Sequence, residues 1–196
     1  MTTQRLTLAG WLAITYAVLA IPFFAINAAL SSLSGDGVKI ANLLLMLVIF
    51  ALAIFPILSL KNLLNTRLSF RDTDIFIILI ILANVAQAVN AILGILSPLG
   101  QPFLVEMPLL TPAMLVSLAL AVPTAFVYIM FAIKLLRLQD PLHGMLKPFA
   151  YMIMAAGFCY GTIVLVPFGL LAELISYIIL GIIFIRAAES SSGAAT

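Results

Sequence analysis

Long uncharged runs separated by short polar or turn-rich breaks set the rhythm of this chain. Residues 11–30, 40–60, 75–96 and 114–133 contain no Asp, Glu, Lys or Arg, and each run is bounded by charges or turn residues. A helix rises about 1.5 Å per residue and the bilayer hydrocarbon is about 30 Å thick, so each run is long enough for one crossing. A fifth apolar region, 148–185, is interrupted only by Glu173 and is too long for one crossing. Pro167-Phe168-Gly169 pairs a helix breaker with a permissive residue, which predicts two helices, 148–166 and 170–185, joined by a tight turn. The alternative is one span to about residue 172 followed by a helix lying in the membrane interface. The pattern therefore predicts an all-α polytopic membrane helix bundle of six transmembrane helices, with five as the alternative count.

Composition strengthens that reading. Hydrophobic residues make up 65% of the 196 and charged residues 8%, with a mean hydropathy of +1.29. Soluble domains are nearer half apolar and a quarter charged, and a chain this small cannot bury the excess in a core. A formal charge of only +2 gives no basic footprint for nucleic acid. The placement of the charges is more informative than their number. With six spans and a cytoplasmic N-terminus, Arg5, Lys61, Arg67, Arg71, Lys134, Arg137, Lys147 and Arg186 fall on the cytoplasmic side, and only Lys39 falls outside. That distribution is what the positive-inside rule expects, and it puts both termini in the cytoplasm of a multi-pass inner-membrane protein. With five spans Arg186 would move to the outer side. The first span is too long for the apolar region of a cleaved signal peptide and is read as a retained helix. Residues 1–186 are expected to form a single membrane domain, followed by a small, polar, disordered tail at 187–196.

Helix 3 has the most informative face. At about 100° per residue, Ala83, Asn84, Gln87, Asn90, Ala91 and Gly94 share one arc of about 120°, opposite Leu82, Val85, Val89, Ile92, Leu93 and Leu96. Amides turned toward lipid would lack partners, so Asn84, Gln87 and Asn90 should meet protein or line a path for solute. Gly157 and Gly161 have the GxxxG spacing that lets two helix backbones approach. Ala13 with Ala17, Ala25 with Ala29, and Ser117 with Ala121 and Ala125 repeat that small-residue spacing on helices 1 and 4. Pro22 and Pro123 lie within helices 1 and 4, where each removes a backbone donor, and are candidate hinges. Helices 2, 4 and 6 all end in an apolar run followed by a cation, a pattern that inward-running helices share whether or not the hairpins are true repeats.

Ionisable groups are few. His143 is expected in an inner loop with Asp140, apart from Cys159, the only cysteine, within helix 5. Asp72-Thr73-Asp74 precedes helix 3 and reads as its cap and dipole complement, not as paired catalytic carboxylates. Glu106 and Glu173 are expected on the outer side, Glu173 with Ser176 and Tyr177 on one helix face. One histidine cannot supply the two axial ligands of a membrane b-type haem, and one cysteine cannot hold an iron–sulfur cluster. No cofactor, metal or catalytic constellation is expected. The sequence points to a noncatalytic integral membrane subunit that packs with other membrane proteins and lipid inside a larger inner-membrane complex. The alternative is a small facilitator or channel for a neutral or weakly polar solute, lined by Asn84, Gln87 and Asn90.

Overall fold

The computed structural model describes residues 2–31, 35–96, 112–138, 144–162 and 164–192. Six helices follow one another: α1 (Thr3–Ser31), α2 (Asp36–Arg67), α3 (Asp74–Leu96), α4 (Pro112–Leu136), α5 (Leu146–Gly161) and α6 (Val166–Ser192). There is no strand among the described residues. All but α5 are long and apolar enough to cross a membrane. At 16 residues, α5 is about 24 Å long. Each helix packs against its neighbours in the chain and α6 returns to α1, so the six close into a ring.

The break between the last two helices lies at 162–165, earlier than expected. Pro167 is the second residue of α6, in the first helical turn, where a missing N–H costs nothing and the fixed φ suits the helix. Gly169 lies inside α6, buried against α5. A Cβ there would stand 2.9 Å from the Tyr160 ring and 3.1 Å from the Cys159 Cβ, so glycine is what allows the hairpin to close. The expected disordered tail is also corrected, because α6 continues to Ser192. Ala187 and Ala188 are buried and extend its packed face, while 193–196 lie outside the described residues.

Helices in a bilayer gain little from burying apolar groups, so close packing holds them together. The tightest crossing joins the first helix to the last. A Cβ on Gly10 would lie 2.9 Å from the Gly181 carbonyl oxygen, and one on Gly181 would lie 2.9 Å from that of Gly10 and 2.6 Å from Ile14 Cγ1. Gly157 plays a similar part between α5 and α4, where a Cβ would lie 2.9 Å from the Ala125 carbonyl oxygen, whereas a Cβ on Gly161 would meet the Ala125 Cβ at an ordinary 3.5 Å. Pro22 and Pro123 are exposed and their helices continue through them. Next to Pro123, the Thr124 hydroxyl donates to the Leu120 carbonyl at 2.7 Å. Pro56, which the sequence reading did not single out, is fully buried within α2.

One end of the ring is tied by polar groups. Asn65 Nδ2 donates to both Asp74 carboxylate oxygens at 3.0 Å, with Lys61 Nζ 4.0 Å away. Asp72 pairs with Lys134 at 3.7 Å. The Asp72–Asp74 segment thus links α2 to α4 as well as starting α3. Buried residues crowd this same half of the molecule. Among the described side chains, none beyond Ala20 in α1, none between Ile81 and Leu93 in α3 and none before Ala125 in α4 is buried, and in α2 only Asn42 is buried before Ile49.

Candidate functional site

The packed half of the bundle ends at a carboxylate. Glu173 is buried with 8% of its surface exposed. Its depth follows from the register of α6 on α1. Gly10 meets Gly181, and the Tyr16 ring packs at a tilt against that of Tyr177, with centroids 4.4 Å apart. The two helices run antiparallel, so Glu173, one turn before Tyr177, is level with about residue 20 of α1, near the middle of that helix. Glu173, which the sequence places with Ser176 and Tyr177 on one helix face, thus lies buried two turns inside α6.

Both carboxylate oxygens are held by tyrosine hydroxyls. Tyr128 on α4 donates to Oε1 at 3.2 Å, and Tyr160 on α5 donates to Oε2. The two rings meet edge to face, 6.0 Å between centroids. Ser176 donates to the Glu173 backbone carbonyl at 2.7 Å, and Tyr177 donates to the Ala53 carbonyl on α2 at 3.0 Å. Residues from α1, α2, α4, α5 and α6 therefore converge here, and no ion pair with Glu173 forms among the described residues. A cavity of about 20 Å³ adjoins the cluster, lined by Tyr128, Ser176 and Tyr177 with Ile57, Leu60, Ile80, Phe131, Phe149, Ile153 and Leu180. That volume admits one water-sized guest, and most of the wall is aliphatic or aromatic.

The three amides of α3 stand elsewhere. Asn84, Gln87 and Asn90 are each half-buried, on the part of α3 that has no buried residue. Asn84 spends one amide hydrogen on its own helix, donating to the Ile80 carbonyl at 2.8 Å. None of the three lines the cavity. Elsewhere, in the sparsely buried parts of α1 and α2, Asn42 buries a side-chain oxygen with no hydrogen-bond partner, and Asn27 donates to Met46 Sδ at 3.7 Å. His143, Asp140 and Glu106 lie outside the described residues. Cys159 is half-buried and free. Among the described residues no group of three His, Cys, Asp or Glu side chains is placed to hold a metal.

Sequence reasoning named Glu173, Ser176 and Tyr177 together because they share a helix face. It missed Tyr16, Tyr128 and Tyr160, which come from three other helices and give no local signal. Comparison with family models, curated proteins and solved structures finds no match to this chain.

Proposed function

We propose that this protein is a six-crossing inner-membrane protein, both termini cytoplasmic, that serves as a noncatalytic subunit packed within a larger membrane complex. The observation that carries this reading is the uneven core. Half of the ring is closely packed, whereas among the described side chains the other halves of α1 to α4 bury almost nothing, leave the Gln87 amide half-buried and bury the Asn42 side-chain oxygen without a hydrogen-bond partner. Amides at membrane depth need partners, and helices of a neighbouring subunit supply both packing and hydrogen bonds. The six-crossing count treats α5 as a short span whose mismatch is absorbed by its two long neighbours. The cationic end, with Lys61, Lys134 and Arg186, then faces the cytoplasm.

A photoreactive side chain placed at residue 87 or 90 should crosslink, in native membranes, to one distinct membrane protein. The same group at exposed Phe126 should give only lipid adducts. Native mass spectrometry after extraction in mild detergent should show the partner at fixed stoichiometry, and a lone monomer there, with no protein adduct at 87 or 90, overturns the proposal. The facilitator reading rests on the same three amides. It predicts that replacing Asn84, Gln87 and Asn90 together by leucine abolishes solute flux into proteoliposomes while the helical fold is kept.

A further inference from the structure

Glu173 is a carboxylate buried two turns inside α6 of an apolar helix bundle, with hydrogen bonds but no cation paired to it among the described residues. An uncompensated charge in that setting is expensive, and intramembrane carboxylates persist where they bind something that removes the charge. Among the described residues, the titratable groups facing it are Tyr16 from α1, Tyr128 from α4, Tyr160 from α5 and Tyr177 one turn along α6. From α2 the cluster receives only the Ala53 carbonyl, already taken by Tyr177. None of these is a base or a cation. A dehydrated alkali ion needs a shell of oxygens in place of its water. The adjoining cavity offers three hydroxyls in an otherwise apolar wall, which is too few. The remaining ligand is a proton.

Access distinguishes the two tyrosines on the carboxylate. Tyr128 is buried at 4% exposure. Tyr160 is only half-buried, and it stands on the last turn of α5 beside the exposed hairpin residues Gly161 and Thr162. Its ring lies over Gly169, where any side chain would displace it. Above this level the core of α1 to α4 has ended, so the hydroxyl is where the sealed cluster comes nearest to the open half.

We propose that Glu173 is a proton-exchange site and that Tyr160 is the hydroxyl through which its proton enters and leaves. In the loading step a hydrated proton binds the Tyr160 hydroxyl oxygen as the hydrogen already there moves along its bond to Glu173 Oε2. One O–H bond of Tyr160 breaks and another forms, the tyrosine ends neutral, and the carboxylate becomes the acid. Release is the reverse.

The test uses the full-length protein reconstituted in phosphatidylcholine vesicles and treated with dicyclohexylcarbodiimide, a lipid-soluble reagent that modifies protonated carboxyls. Peptide mass spectrometry on the unmutated chain locates the adduct. It is expected on Glu173, with a labelling rate that falls about tenfold per pH unit once the pH exceeds the midpoint. Infrared difference spectra between acid and alkaline buffer should show a carboxylic-acid carbonyl band that E173Q removes. Y160F should slow the approach to equilibrium after a pH jump by about tenfold, and by more than Y128F does, with helical content and melting temperature of both variants recorded alongside. Labelling of Glu173 that does not change with pH overturns the proposal. Protection by sodium or potassium at constant pH also overturns it, in favour of an alkali-ion site. Equal slowing by Y160F and Y128F removes Tyr160 from the route. These outcomes are independent of whether a partner subunit is found.

Discussion

At the level of single residues, glycine and tyrosine set the geometry that matters. Gly10 and Gly181 let two backbones touch, and a larger side chain at either must push a neighbouring carbonyl away. G181L is expected to destabilise the bundle by about 1–3 kcal/mol, as overpacking does, with a lower melting temperature in detergent. G161A should be nearly silent in the same measurement, because its new Cβ would meet only an ordinary contact. The tyrosines act on Glu173 in a different way. Y128F strips a donor from a buried carboxylate oxygen and should cost about 1–3 kcal/mol. E173Q keeps the shape and removes the charge, so thermal unfolding should show it no less stable than Y128F. Of these residues, only Gly157 and Gly161 announced themselves through spacing. Gly10 and Gly181 come from opposite ends of the chain, and no local pattern pairs them.

Among the elements, the helices themselves were legible because lipid demands uncharged runs of a fixed length, and that demand is written residue by residue. Their ends were less so. Pro167 reads as a breaker in isolation, yet in the first turn of a helix it is a good starting residue, so the hairpin turns before it. Ala187 and Ala188 look like the start of a featureless tail, yet both continue the buried face of α6. Shifting these ends changes the site, because Glu173 becomes a residue two turns inside α6 instead of one at its mouth. The polar tie at the other end makes a graded prediction. The Lys134–Asp72 pair is exposed on the aspartate side, and K134A should cost under about 1 kcal/mol. Asp74 engages Asn65 and Lys61 together and begins α3, so D74A should cost more, about 1–2 kcal/mol, by combined loss of hydrogen bonds and dipole complement. Denaturant titration of both variants in one detergent checks the order.

For the whole molecule, the orientation proposed from its few charges can be tested directly. With Cys159 replaced by serine, a cysteine at exposed Gly37 should react with an impermeant maleimide on intact cells. One at Ser190 should react only after the membrane is opened. The reverse pattern would invert the proposed topology. The closed ring carries a further consequence for how the chain is made. Synthesis runs from α1 to α6, yet the face of α1 bearing Gly10 and Tyr16 packs on α6. Throughout translation the first helix must wait in the bilayer with that face uncovered, and the last helix to leave the ribosome is the one that locks it. A chain that stops before residue 166 would therefore lack α6 and leave the ring open, giving the cell's membrane proteases a simple mark of incompleteness.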